Sequence, residues 1–314
     1  MTEASPRVSI VIVNWNGIEV LVPLLESLRS LTYPNVETVV IDNASTDGSS
    51  EVLSARGDIT FVPNAENLGF ARASNQGMAM TEGDYVLLLN PDTLIDDPKV
   101  IDRCVEEMEA EPRIGALGVK IVAPDGSLQY SCAPFRSLGR ELALSAFARP
   151  FRRDKKPRFW HFQDGRPPRN MDVDWVSGAF MLLRRAAVDA VGALDPETPM
   201  DGEDYDLCWR LRRMGWRVRY FAETRVIHIG NVSGAKRWTE HRRQVLGAQC
   251  VDFFMRKHHS VPYALTYRTL VVADRAAKVA YARARGDREL AAALRDQVSI
   301  HAEALRTFFR QPSP

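Results

Sequence analysis

Short runs of β-branched and aliphatic residues alternate with helix-periodic segments through the first hundred residues. That alternation restricts the chain to a mostly parallel sheet with helices on its faces. Val8 to Val13 and Thr38 to Asp42 each lead into Asn, Gly or Ser and then into a helical pattern such as Val20, Leu21, Leu24, Leu25 and Leu28. The alternation continues with a strand from Ile59 to Val62, a helix near Ala71 to Met80, a strand from Tyr85 to Leu89 and a helix near Lys99 to Ala110. Ligands of open α/β sheets bind at the carboxyl ends of the strands. The residues that matter most are therefore Asn14 to Gly17, Asp42 to Ser45, and Asn90 to Asp92.

The second half reads differently. Pro134 to Arg169 is rich in Pro and Arg, with Arg149, Arg152, Arg153, Lys155, Lys156 and Arg158 almost consecutive, which predicts a long loop or broken helices. Val173 to Arg184 reads as one strand, followed by a helix near Ala186 to Val191 and strands near Val218 to Phe221 and Arg225 to His228. From about Trp238 onward the pattern is helical. Leu290, Leu294, Val298, His301, Leu305 and Phe308 recur at three- and four-residue steps as an apolar stripe.

With 314 residues, 45% of them hydrophobic, the chain can bury a large core and build one domain with an appendage. The net charge is only +1, but residues 235–314 hold fifteen Lys or Arg against seven Asp or Glu, so the tail is basic. Cys104, Cys132, Cys208 and Cys250 form no close pair of the zinc or redox type and read as reduced thiols of a cytoplasmic protein. The first residues lack the basic flank and apolar stretch of a signal peptide. Nowhere does an apolar run approach the roughly 18–20 residues that cross a bilayer. The Arg-rich segments carry no recognition motif for nucleic acid.

Four features carry chemistry. No Gly-x-Gly-x-x-Gly follows the first strand, which excludes the dinucleotide fingerprint. Asp42 ends the second strand and either meets a nucleobase or ribose or caps the following helix. Asn90, Pro91 and Asp92 end an apolar strand with two oxygen-bearing side chains, the pattern either of a hard cation bridging a diphosphate or of a simple Pro turn. Asp201, Glu203, Asp204 and Asp206 crowd the start of a helix whose core face holds Leu207 and Leu211. There the helix dipole favours anions, and at least one acid is expected to point into a cleft. His228 ends a short strand and becomes a metal ligand only if it converges on Asp92.

Together the segments Val11 to Gly17, Val40 to Gly48, Glu66 to Ala71 with Asn75 and Gly77, Leu88 to Asp92, Ser177 to Ala179, Gly202 to Arg210, and His228 resemble the family 2 glycosyltransferases. The likeness is closest to the bacterial rhamnosyltransferase-like branch. It spans roughly residues 7–235 and implies an α/β fold of the GT-A type, a mostly parallel nucleotide-binding sheet flanked by helices. Residues 1–235 would then form the glycosyltransferase domain and 236–314 a helical C-terminal extension. The resemblance implies that Asn14, Asp42, Gly69, Arg72 and Asn75 face the nucleotide and that Asn90 and Asp92 stand where the family has its metal-binding Asp-x-Asp pair. It further implies that His228 completes that site and that Asp204 is the catalytic base, with Glu203 and Asp206 positioning the base or acceptor. Asn90 replaces the first Asp of the pair and removes one negative charge, leaving more of the metal to Asp92 and His228.

The activity implied is inverting transfer of a sugar from a nucleotide diphosphate donor, with Mg2+ or Mn2+, to a glycan or polyprenol-linked acceptor in cell-surface polysaccharide synthesis. dTDP-L-rhamnose is the expected donor and a UDP-sugar its competitor. A binding protein that kept the fold without catalysis is the alternative from another class. Ser177, Gly178 and Ala179 either admit substrate close to the backbone or simply pack, and Trp175 and Trp209 are either sugar-stacking faces or core. The basic tail and the Arg149 to Arg158 cluster suit peripheral contact with the inner face of the plasma membrane, while the stripe from Leu290 to Phe308 equally suits docking within the chain or on a second subunit.

Overall fold

The computed structural model describes residues 5–145, 169–199, 202–230 and 239–309. The basic cluster from Arg149 to Arg158 and the acid Asp201 lie outside them. The chain divides into two compact units. The first comprises Met1–Pro134, Gly165–Pro196 and Glu203–Arg237, and the second Phe135–Asp164, Glu197–Gly202 and Trp238–Pro314.

The first unit is built on β1 (Val8–Asn14), β2 (Val36–Asp42), β3 (Thr60–Pro63), β4 (Tyr85–Leu89), β5 (Thr93–Leu94), β6 (Ile114–Val122), β7 (Cys132–Ala133), β8 (Met171–Val173), β9 (Trp175–Val176), β10 (Phe180–Arg184) and β11 (Arg217–His228). The main sheet runs β3-β2-β1-β4-β10-β6-β11-β5, with β8 on the side of β11, and β7 pairs with β9 in a separate ribbon. β1, β2, β3 and β4 are mutually parallel, as the alternation predicts. β10 then enters antiparallel between β4 and β6.

Helices α1 (Ile18–Leu28), α2 (Ser49–Ser54), α3 (Phe70–Ala79) and α4 (Val100–Ala110) follow their strands. All seven residues of β1 are buried because helices cover both its faces. Val8, Ile10 and Ile12 pack with Leu21 and Leu24 of α1 and with Ile101, Cys104 and Met108 of α4. Val13 packs with Val39, Ile41 and Ala73 on the other face. Gly77 of α3 explains that close approach: a Cβ there would stand 2.4 Å from Val11 Cγ1.

Three details depart from the sequence reading. The segment 173–184 is not one strand, for it breaks at Ser177 to Ala179 between β9 and β10. The two late strands are instead one, β11, with a register shift between Phe221 and Arg225. β6, in the middle of the sheet, is absent from the periodicity because Gly115 and Gly118 interrupt its apolar run. Both glycines are needed, since a Cβ at Gly118 would lie 2.7 Å from Val176 Cβ and one at Gly115 would lie 2.9 Å from Trp216 Cβ.

After β10 come α6 (Arg185–Val191) and α7 (Glu203–Arg213), while α5 (Leu138–Leu144) belongs to the second unit. That unit also contains α8 (Glu240–His258), α9 (Val261–Ala284) and α10 (Arg288–Arg306). Val245 and Ala248 of α8 pack on Ile300 and Ala304 of α10. The buried face of α10 is thus set by Ala291, Ile300 and Ala304, and Leu290 of the expected stripe is 47% exposed. The alanines bring α10 close to α8, which a purely apolar count does not anticipate.

Arg268 of α9 is buried in this unit. Its Nε donates to Asp252 Oδ1 at 2.8 Å, and its guanidinium also reaches His301 Nδ1 at 2.7 Å and the Ala248 carbonyl at 2.6 Å. Burial pushes the Asp252 carboxyl up to about 6 against the pull of Arg268, and burial together with Arg268 pushes the His301 imidazole down to about 3. Among the described residues no helix is long and apolar enough to cross a membrane.

Candidate active site

The carboxyl ends of β1 and β2 are locked side by side because Asn14 pairs in register with Asp42. Asn14 Nδ2 donates to Asp42 Oδ1 at 2.8 Å and to Ser45 Oγ at 3.1 Å. Ser45 donates in turn to Asp42 Oδ1, and the Ser45 N–H and the Ser50 hydroxyl reach Asp42 Oδ2. Asp42 is therefore a buried, four-donor hub at the strand ends. Asn14 Oδ1, buried beside it, has no hydrogen-bond partner among the described residues and is an acceptor held in reserve.

Backbone strain gathers at the same place. Asn16 and Ala44 have φ of 50° and 64°, and for Ala44 the left-handed conformation costs on the order of 1 kcal/mol. Asp47 anchors the loop from below by accepting from Ile18 N–H and Ser49 N–H. Burial would raise the Asp47 carboxyl, but these N–H groups and the Ser49 hydroxyl outweigh it and hold it below its usual range.

Asn43, within the strand-end segment Asp42 to Ser45, ties β2 to the segment before α3. Its amide donates to Asn67 Oδ1 and accepts from Leu68 N–H and Asn64 Nδ2. Gly69 caps α3 with φ 79° and ψ 166°, a backbone state open to glycine, so its contribution is conformational. Arg72 lies exposed on α3. Asn75 does not present a free amide to the strand ends: its Nδ2 donates to the Leu194 carbonyl at 2.7 Å and its Oδ1 accepts from Leu194 N–H at 3.0 Å. Asn75 thereby clamps the chain after α6.

β4 delivers the next piece. Because β10 is antiparallel to β4, Phe180 pairs with Leu89, and the residues before Phe180 lie beside those after Leu89. Asn90 N–H donates to the Ala179 carbonyl at 3.2 Å, and the Thr93 hydroxyl reaches the same carbonyl. Gly178 N–H donates to Asp204 Oδ2 at 2.8 Å, and Tyr205 N–H to Asp204 Oδ1 at 2.7 Å. Ser177 to Ala179 thus bridges the Asn-Pro-Asp turn to the acid in the first turn of α7.

Glu203 is buried and Asp204 partly exposed. Asp206, 1% exposed, pairs with Arg210 Nε at 2.8 Å, and Arg210 also donates to the carbonyls of Val191, Gly192 and Ala193. Asp206 is thus tied through Arg210 to the chain after α6. Arg210, Arg212 and Arg213 close the other end of the helix, so its dipole is complemented at both ends. The Trp175 ring sits 6.3 Å by centroid from those of Tyr130 and Tyr205.

His228 does converge on Asp92. Cα pairing of His228 with Thr93 and the bond from Ile229 N–H to the Asp92 carbonyl at 2.9 Å set His228 Nε2 3.2 Å from Asp92 Oδ1. Nε2 is buried and makes no hydrogen bond among the described residues, which suits a cation ligand. Among the described residues no group of three or more His, Cys, Asp or Glu gathers for a metal. The pair therefore fits an ion whose other ligands come from a diphosphate and water.

The model of "Glycosyl transferase family 2" matches residues 9–192. The chain belongs to that family. Similar to this family 2 glycosyltransferase is the N-acetylglucosaminyl-diphospho-decaprenol L-rhamnosyltransferase of Mycobacterium tuberculosis, 32% identical over 240 residues that cover 73% of this chain and 76% of the relative. The O-antigen biosynthesis protein RfbC of Myxococcus xanthus is 29% identical over 237 residues, 73% of this chain and 18% of that protein. Among solved structures, a mannosyltransferase from Pyrobaculum calidifontis in complex with GDP-Man and Mn2+ superposes with a TM-score of 0.63 at 18% identity, covering 99% of this chain and 89% of that one. S. aureus TarS 1–349 superposes with a TM-score of 0.52 at 14% identity, covering 98% and 92%. At these identities the likeness establishes the fold, which is GT-A.

Proposed function

We propose that this glycosyltransferase moves L-rhamnose from dTDP-L-rhamnose to a lipid-linked N-acetylglucosaminyl diphosphate acceptor, with inversion at the anomeric carbon. The observation that carries the reading is the tie between Asp204 and the Asn-Pro-Asp turn through the Gly178 and Ala179 backbone. An acid that abstracts a proton and a site that holds a leaving diphosphate must lie on opposite sides of one sugar, and this bridge spans only a few residues. The relative named as a rhamnosyltransferase supports the sugar and the acceptor.

Asn14 and Asp42 would receive the nucleotide at the strand ends, with the Gly69 backbone beside them. Asp92 and His228, assisted by Asn90, would hold Mg2+ or Mn2+. When bound, that ion offsets charge on the departing diphosphate. Asp204 takes the proton of the acceptor hydroxyl, its carboxylate aimed by the N–H groups of Gly178 and Tyr205. Asp206 and Arg210 act at one remove by keeping α7 in place. The unit of Met1–Pro134, Gly165–Pro196 and Glu203–Arg237 would be catalytic, and the helical extension would include Phe135–Asp164 and Glu197–Gly202 besides Trp238–Pro314. The lipid part of the acceptor places the reaction at the inner face of the plasma membrane, where the excess of Lys and Arg after residue 235 suits an anionic leaflet.

The test is transfer to a synthetic polyprenyl diphospho-N-acetylglucosamine, with dTDP-L-rhamnose and UDP-sugars offered separately and the product read by mass spectrometry. A mass gain of one deoxyhexose from the dTDP donor alone is expected. Transfer from UDP-sugars only would replace the donor, and transfer from none would end the proposal.

A further inference from the structure

We propose that Gln129 is a positioning residue that fixes the tautomer and orientation of His228, so that Nε2 presents its lone pair beside Asp92. The inference rests on reading His228 as an ion ligand. Gln129 Nε2 donates to the His228 carbonyl at 2.7 Å. A carbonyl cannot donate, so this end of the amide is the NH2 group and the other end, Oε1, is an acceptor. Oε1 faces His228 Nδ1 at 2.9 Å. Nδ1 must then carry the proton, and in the neutral ring the lone pair falls on Nε2.

That assignment explains an otherwise awkward contact. Nε2 lies 3.2 Å from Asp92 Oδ1 yet makes no hydrogen bond among the described residues, as expected when both atoms are electron-pair donors. Two such atoms side by side in a buried setting call for a shared cation. A hydrogen-bonded partner on the far nitrogen is the device by which proteins fix a ligating imidazole.

Gln129 reaches this place through a tight reversal of the chain. Ala123 N–H donates to the Ser127 carbonyl and Gly126 N–H to the Ala123 carbonyl, both at 2.8 Å, while Asp125 Oδ1 accepts from Ser127 N–H and Gly126 takes φ 82°. The returning strand bridges Val122 to Leu128, and Gln129 N–H donates to the Ile121 carbonyl at 2.9 Å. β6 runs parallel to β11 with Val122 opposite Ile227, so the turn brings Gln129 beside the next residue, His228. One amide thus grips both the ring and the main chain of a single histidine.

The experiment uses the full chain with ring-15N-histidine and reads the His228 nitrogens by long-range proton-nitrogen correlation, assigned with His228→Ala. A protonated Nδ1 and bare Nε2 are expected in wild type, with Nε2–H appearing in Gln129→Met. Mn2+ affinity in the presence of dTDP, followed by the resonance of free Mn2+, should fall ten- to a hundredfold in Gln129→Met. In Gln129→Glu, which keeps an acceptor for Nδ1–H, it should stay within a few fold. A wild-type ring protonated at Nε2, or a folded Gln129→Met unchanged in both readouts, would overturn the proposal. Should Gln129→Met fail to fold, the wild-type spectrum and Gln129→Glu still decide it. If His228→Ala leaves Mn2+ affinity intact, the ion-ligand reading falls separately, while the nitrogen spectra still judge the Gln129 clamp.

Discussion

The backbone N–H of Gly178 donates to Asp204 Oδ2 at 2.8 Å, joining the first turn of α7 to the turn that opens β10. Because Ala179, the next residue, accepts from Asn90 N–H, the position of the acid is referenced to the end of β4 rather than to its own helix alone. Asp204→Asn keeps the shape and one acceptor while removing the base. Sugar transfer should drop by roughly 10²–10⁴ with nucleotide-sugar affinity within a few fold, as measured by steady-state kinetics and calorimetry. Near-normal turnover would remove Asp204 from the chemistry.

Asp92→Ala leaves His228 without its oxygen partner. Donor affinity and any stimulation by Mn2+ should fall together, and chelation of the wild type should mimic the variant. Full activity in a chelator would refute a role for the ion.

Asp206→Asn distinguishes support from substrate contact. Loss of the charge leaves Arg210, only 19% exposed at its side chain, facing three carbonyls without its carboxylate. A lower melting temperature is expected, with KM for the donor close to wild type in the folded fraction. A changed KM at unchanged stability would instead return Asp206 to the binding site.

Gly77→Ala places a methyl where Val11 Cγ1 already stands, at 2.4 Å from the new carbon. Overpacking between α3 and β1 should cost about 1–3 kcal/mol in denaturant unfolding. A neutral or stabilising result would mean that α3 can lift off the sheet freely.

His301 should make the helical unit sensitive to acid. Burial first, and then Arg268, depress its folded value to about 3 from an ordinary 6.5, so the unfolded chain binds a proton that the folded chain refuses. The stability it contributes is complete above pH 6.5 and is lost as pH falls toward 3. Asp252, raised to about 6 from 3.8 by burial, works in the opposite sense between those two values. The informative quantity is therefore the difference between wild type and His301→Gln. Amide exchange in α8 and α9 should accelerate less on acidification in the variant, and identical pH profiles would contradict the assignment.

The parallel half of the sheet was legible because β1, β2 and β4 are short runs rich in β-branched and aliphatic residues, followed by helical spacing. β6 was not, since Gly115 and Gly118 serve packing against Trp216 and Val176, residues distant in sequence. Asp92 and His228 were each ambiguous alone, and only the pairing of β5 with β11 brings them together. Asn75 and Asp206 carry the right side chains at motif positions, and their hydrogen bonds to Leu194 and Arg210 are contacts that no local pattern reveals. Gln129 had a local sign, the Pro124, Asp125 and Gly126 turn that folds the chain back beside β6, but its target lies 99 residues away.

The two-residue strand β5 has a consequence for how this protein can change. Strand side chains alternate faces, so a one-residue change in the length of the connector between Leu89 and Thr93 would swing the Asp92 carboxylate away from the imidazole. Such a variant would lose the juxtaposition of Asp92 with His228. The length of this connector is therefore expected to be far less negotiable than its composition.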